Sequence, residues 1–272
     1  TLFESLYGEN HWLVGVRLND LAFNYASRGR YSEAEPLLMR ALEIYEAALD
    51  DNHPEIATSL NNLALVYGFQ GQHDRALDLY EKALVIRQNV FGSNHPDVAE
   101  SLTNLGVSYV FNQRSEEAEA LFLEALDIYQ SIDSRSQLLT LQHLGQYYLT
   151  QEQYEKAEMY IVETAEFARE NLGEKHIEFA FSLMSLGFFY LDSQSPDKAL
   201  PVLEDAMPIL EGSYSSHPAI AGISVSLANI YWREGQFQKS LSLYQNALSV
   251  EENFFNDNLS GGSEIVKRDY IS

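Results

Sequence analysis

Five histidines, His11, His53, His95, His176 and His217, are the side chains whose recurrence first raises chemistry. Imidazole is the commonest ligand for transition metals and the side chain that titrates closest to neutral pH, so a metal centre or an acid–base set has to be considered. The spacing opposes both. The histidines fall about one per repeating unit, a whole helical hairpin apart, which separates neighbours by roughly 10 Å or more at the usual interaxial distance. They cannot share one ion, and are expected instead to be linker residues that organise the start of the next helix. His143 is isolated on a helix and is expected to pack or to face solvent. Carboxylate pairs such as Asp50-Asp51, Glu116-Glu117 and Glu251-Glu252 are unremarkable in a chain with 40 Asp and Glu. General acid–base work needs two carboxylates in one cleft with separated pKa values, and nothing singles out such a pair. No glycine-rich phosphate loop, nucleophile elbow or zinc signature occurs, and Asn258-Leu259-Ser260 is a formal glycosylation sequon without a secretory signal. No catalytic residue, metal or cofactor is expected.

Composition narrows the partners. The 272 residues include 17 Lys and Arg against 40 Asp and Glu, a formal charge of −23, and 46% are apolar. Such a chain is hydrophobic enough to fold, and its surface repels phosphate backbones and anionic headgroups. Neither nucleic acid nor a membrane surface is an expected partner. Zero cysteines exclude a disulfide, a thiolate metal site and a cysteine nucleophile within this chain, and are compatible with a reducing, cytoplasmic setting. The longest apolar run, Phe179 to Leu191, is too short to span a bilayer. The absence of an initiator Met predicts a piece of a larger protein.

The elements that position these residues emerge from self-similarity. Leu60-Asn61-Asn62-Leu63-Ala64-Leu65-Val66-Tyr67 reappears in Leu102 to Tyr109 and in Leu18 to Tyr25. The tyrosine recurs as Tyr25, Tyr67, Tyr109, Tyr148, Tyr190 and Tyr231, with spacings of 42, 42, 39, 42 and 41. Nine residues after each stands a small side chain, Ala34, Ala76, Ala118, Ala157, Ala199 and Ser240. Seven further on come Ala41, Ala83, Ala125, Thr164, Ala206 and Ala247. Small residues at fixed phase mark the close approach of two helices, so each unit is a helical hairpin. Its first helix follows His53-Pro54 or His95-Pro96, with proline early in the helix, and ends near Gly29, Gly71 or Gly235, suited to a left-handed cap. Its second helix is amphipathic, as in Ala76 to Leu84. Pro36 and Pro201 are expected in the first turns of two second helices.

These residues resemble the tetratricopeptide repeat (TPR), in the 42-residue form of kinesin light chains. The resemblance covers residues 9–256 and implies an all-α fold, a right-handed α-α superhelix of about six hairpins. Residues 1–8 would end a preceding helix, and 257–272 would form an exit segment or partial capping helix, because Asn256-Asp257-Asn258 and Gly261-Gly262-Ser263 interrupt the pattern. Asp133 to Gln137 replaces the His-Pro linker of the fourth unit, where a change of superhelical pitch is expected. Gly262 to Ile271 resembles the segment that precedes the CHAT domain in cyanobacterial TPR–CHAT proteins.

The resemblance also implies that first helices line a concave groove. Six residues before each tyrosine stand Asn19, Asn61, Thr103, Gln142, Met184 and Val225, a row that passes from polar to apolar. Two before it stand Phe23, Leu65, Val107, Gln146, Phe188 and Asn229; just after it come Phe69, Val110, Phe111, Leu149, Leu191 and Trp232. Amides that donate and accept suit an extended peptide backbone, although they would equally cap or bridge neighbouring helices, and the aromatics would equally pack on adjacent hairpins. The Lys/Arg pair with which chaperone-binding members hold a terminal carboxylate is missing; Arg233 alone is a poor substitute. The expected peptide-binding set is Asn19, Phe23, Asn61, Leu65, Phe69, Thr103, Val107, Phe111, Gln142, Gln146, Leu149, Met184, Phe188, Asn229 and Trp232. The expected function is a non-enzymatic scaffold for a neutral to basic peptide or protein with an apolar anchor. The alternative is a module that docks its own downstream domain or self-associates.

Overall fold

The computed structural model describes residues 7–132 and 136–261, with side chains as far as 256. The described residues form α-helices and connecting turns. They are α1 (Trp12–Ala26), α2 (Tyr31–Ala48), α3 (Pro54–Phe69), α4 (His73–Phe91), α5 (Pro96–Phe111), α6 (Ser115–Ser131), α7 (Gln137–Thr150), α8 (Tyr154–Leu172), α9 (Ile177–Asp192), α10 (Pro196–Ser213), α11 (Pro218–Arg233) and α12 (Phe237–Gly261). The chain divides into two compact units, residues 1–151 and 152–272. In the first, α1–α2, α3–α4 and α5–α6 are hairpins, stacked through α2 on α3 and α4 on α5, and α7 packs on α6. In the second, α8 packs on α9, and the hairpins α9–α10 and α11–α12 stack through α10 and α11. None of the described helices is long and apolar enough to cross a membrane.

The small residues sit where their phase requires. Ala34, Ala41, Ala83, Ala118, Ala125, Ala157, Ala199, Ala206 and Ser240 have no exposed surface, because each faces a partner helix too close to admit a larger side chain. Gly106 is a sharper case: a Cβ there would lie 2.7 Å from the ring of Phe122, which is itself fully buried. The absent side chain of α5 and the large one of α6 are thus one packing unit.

Each linker histidine caps the following helix. His11, His53, His95, His176 and His217 accept at Nδ1 from the backbone N–H two residues on, at 3.1–3.3 Å. The ring nitrogen satisfies one of the donors that a helix start leaves unpaired. At the other end of the first helix the residue four after the repeat tyrosine takes a left-handed conformation. Gly29, Gly71 and Gly235 do so at φ 72°, 76° and 78°, and Gln113, Glu152 and Gln194 at 59°, 57° and 56°. The next N–H then reaches back to the tyrosine carbonyl, as from Gln72 to Tyr67 at 2.8 Å and from Arg114 to Tyr109 at 2.9 Å. This closes the C-terminus and reverses the chain.

Two features differ from the sequence expectation. Pro36 and Pro201 lie inside α2 and α10, in the second turn instead of the first, and Pro208 lies deeper in α10. The helix α12 continues through Asn256-Asp257-Asn258 to Gly261, past the interruption those residues predict. The pitch change expected over Asp133 to Gln137 falls largely on residues 133–135, and the CHAT-like segment on 262–271; both lie outside the described residues.

Candidate functional site

The row six residues before the tyrosine divides into two structural roles. Asn19, Asn61 and Thr103 are buried. Asn19 Oδ1 accepts from Asn62 Nδ2 and from Ser59 Oγ, each at 3.2 Å, and Asn61 Oδ1 accepts from Asn104 Nδ2 at 3.0 Å. The Thr103 hydroxyl bonds the Ala99 carbonyl and Thr140 Oγ1. At these three positions the polar groups join one first helix to the next, the bridging alternative for the row, since a polar group buried between helices must find its partner there. Gln142 is half-buried on α7, and Met184 is half-buried against the core of the second unit.

The apolar rows behave otherwise. Phe23, Phe69 and Phe111 are each about 60% exposed, at the C-terminal ends of α1, α3 and α5. Tyr31 stacks on Phe69 with centroids 5.0 Å apart, and His73 on Phe111 at 4.7 Å. The starts of α2 and α4 thereby hold the aromatic rings at the ends of α3 and α5 in a fixed orientation. In the second unit Trp232 is exposed and meets Phe237 edge-on at 4.8 Å. Phe188 is half-buried beside the core, and Asn229 accepts from the Tyr244 hydroxyl at 2.7 Å. Gln146 is exposed and Leu149 half-buried on α7.

Four of the expected residues, Leu65, Phe69, Val107 and Phe111, come together around a cavity of about 380 Å³ in the first unit. The lining is completed by Gly68 from α3, His73, Ala76 and Tyr80 from α4, Asn104 and Ser108 from α5, and Leu139 and His143 from α7. None of these side chains is acidic, lysine or arginine. His143 lies with its ring 6.0 Å from that of Phe122, and burial holds its pKa below the ordinary value. Burial and the nearby Glu100 carboxylate raise the pKa of the Tyr80 phenol. Ser108 is only 5% exposed, and its hydroxyl has no hydrogen-bond partner.

Leu139, His73 and Ser108 are not signalled by the groove rows. A trace of Ser108 exists, however. The residue before the repeat tyrosine is Asn24, Val66, Tyr147, Phe189 or Ile230 in the other units and serine only at 108, the smallest side chain of that row. The arrangement offers an apolar well with a few polar groups and exposed rings at its mouth, the usual make-up of a binding pocket. Among the described residues no three of His, Asp or Glu converge as metal ligands.

Comparisons with known proteins accord with this geometry. Family models described as tetratricopeptide repeat match residues 15–89, 61–131 and 136–214, and a further one matches 224–256. Among solved structures, a candidate kinesin light chain of Podospora anserina with nearly identical TPR-like repeats is 24% identical, at a TM-score of 0.62. The match covers 74% of this chain and 96% of that one. A Rap protein complexed with competence and sporulation factor is 13% identical with a TM-score of 0.66, over 88% of this chain and 75% of that one. The Rap conjugation gene regulator of plasmid pLS20, in complex with the Phr* peptide, is 13% identical with a TM-score of 0.61, over 89% and 75%. At these identities the likeness is one of fold. No curated protein matches this chain in sequence. Repeating tyrosines, alanine-lined hairpins and family models covering most of the sequence lead to one conclusion: the chain belongs to the tetratricopeptide repeat family.

Proposed function

We propose that this chain is a non-enzymatic interaction scaffold that binds a peptide segment of a partner along the face of its first helices. The observation that carries the reading is the set of large rings left outside the core near the C-terminal ends of first helices, Phe23 two residues before its repeat tyrosine and Phe69 and Phe111 two after theirs, the latter two over the cavity. Phe69 and Phe111, held exposed by stacking from a neighbouring helix, are anchors in waiting, because a ligand that covers them gains apolar burial with little ordering cost. Two proteins of the same fold are complexes, a Rap protein with competence and sporulation factor and the pLS20 regulator with the Phr* peptide. A chain at −23 favours a neutral to basic partner. A cytoplasmic setting accords with its cysteine-free composition.

The contact set of this reading is Phe23, Leu65, Phe69, Val107 and Phe111 with Gln142, Gln146 and Leu149, and in the second unit Met184, Phe188, Asn229 and Trp232. The test is selection of peptides from a displayed random library, followed by titration of the best binder against the Phe69→Ser/Phe111→Ser variant. Both rings are exposed, so the variant folds. Loss of affinity by about tenfold or more is expected, as for truncating a pair of anchors; full affinity in the variant would move the binding surface elsewhere. Sedimentation of the chain alone distinguishes this reading from self-assembly.

A further inference from the structure

We propose that the cavity behind Phe69 and Phe111 is a receptor for the phenol ring of a tyrosine side chain, an inference that rests on the peptide-binding reading above. Three observations lead there. Ser108 lines the cavity at the position where other repeats carry the larger Asn24, Val66, Tyr147, Phe189 or Ile230, and the space there is of side-chain dimensions. At about 380 Å³ it lies near the lower end of the range for small ligand pockets, roughly 300–1,000 Å³. That size suits one ring and part of its backbone.

Charge selects next. The surface as a whole is strongly acidic, yet no Asp, Glu, Lys or Arg lines this cavity, and burial disfavours the charged form of the His143 imidazole. An ionised side chain would lose its hydration there without gaining a counter-charge. The occupant is neutral.

The serine then distinguishes among neutral rings. Other buried hydroxyls on these helices are bonded, Thr103, Thr164 and Ser182 to the carbonyl four residues back and Ser59 and Ser240 to acceptors on a neighbouring helix. Ser108 makes no such bond, and its hydroxyl is buried without a partner. A buried donor of this kind is costly until an acceptor reaches it. Phenylalanine brings no polar atom. Indole brings only a donor, whereas a phenol oxygen accepts from Ser108 and keeps a proton to donate in turn. Of the aromatic side chains, tyrosine matches the unpaired group and the apolar walls together.

The experiment uses the side-chain analogues themselves: p-cresol, toluene and 3-methylindole, titrated by NMR into the whole chain, its Ser108→Ala variant and its Ser108→Val variant. The parent should bind p-cresol about three- to tenfold more tightly than the other two, the range that one net hydrogen bond confers. Ser108→Ala should erase that preference while leaving toluene affinity within about twofold, since the walls are unchanged. Ser108→Val, which matches Val66 of the preceding repeat, should weaken all three by filling the space. Equal binding of the three probes to the parent, or a phenol preference that survives Ser108→Ala, overturns the proposal. Library peptides that bind the parent without tyrosine enrichment, together with no phenol preference, would leave the groove standing and the receptor refuted. Phenol discrimination by a chain that selects no peptide would refute the groove reading and leave the receptor standing.

Discussion

Replacing Asn61 by alanine separates the two roles a recurring amide can have in such an array, ligand contact or repeat-to-repeat bridge. Asn61 is 6% exposed, and its Oδ1 accepts from Asn104 Nδ2 at 3.0 Å. Truncation deletes one hydrogen bond, about 0.5–1.5 kcal/mol net, and leaves a half-buried amide donor unpaired, whose full penalty would be about 1–3 kcal/mol. Scaling the second contribution for partial exposure gives an expected loss of about 1–2.5 kcal/mol in urea unfolding. The partner change Asn104→Ala should cost a similar amount. The double variant should fall short of the sum by about 1 kcal/mol, because the bond can be lost only once. A library-selected peptide should bind folded Asn61→Ala within about twofold of the parent, since the changed group makes no ligand contact. An Asn61→Ala variant that unfolds with the parent but binds the peptide weakly would refute the bridge and restore the amide to the ligand-facing set.

Three other outcomes follow from the structure. His95→Ala removes the acceptor for the Asp97 N–H and should cost about 1 kcal/mol by denaturant titration, with His95→Asp recovering most of it. Gln113→Gly should stabilise the array by about 0.5–1 kcal/mol, because a left-handed β-carbon at φ 59° is strained; an unchanged urea midpoint would show that the turn has relaxed that strain. Burial lowers the pKa of His143 in the folded chain, so the unfolded state takes up the proton first. Stability is then fully present above the ordinary histidine value of about 6.5 and declines as pH falls from there toward the depressed folded value. The His143→Leu variant should accordingly lose less Tm than the parent between about pH 7 and pH 5, and equal losses would exclude a contribution from this residue.

Much of this architecture was legible in the sequence because repetition supplies its own controls. A lone alanine says little, but Ala34, Ala76, Ala118, Ala157 and Ala199 at constant phase to a tyrosine specify a helix contact, and all five are buried. The histidine caps were legible for the same reason. The amides were not, because Asn61 reads identically whether it points to a ligand or to Asn104; the decision depends on the stacking distance between first helices, which no spacing within one repeat encodes. The cavity was harder still. Its lining combines the small Ser108 with Leu139 and His143 on a helix one repeat further on, and a pattern of what is present does not display the consequences of what is small. Gln113 and Gln194 likewise carry no glycine to betray their left-handed turns.

The amide bridges also give the array a grammar of permissible edits. Ser59 and Asn62, the partners of Asn19, have Ser101 and Asn104 as their equivalents one period later. Excision of one whole period after the first hairpin would therefore present Asn19 with the same donor types it has now. Joining the second hairpin to the fifth would instead set Asn61 opposite Ser185, in a row whose own member is Met184, and leave the amide facing thioether and short hydroxyl. Shortening by duplication-sized steps is thus tolerated at one end of this chain and penalised across its middle, so modules of equal length and equal fold are not interchangeable parts.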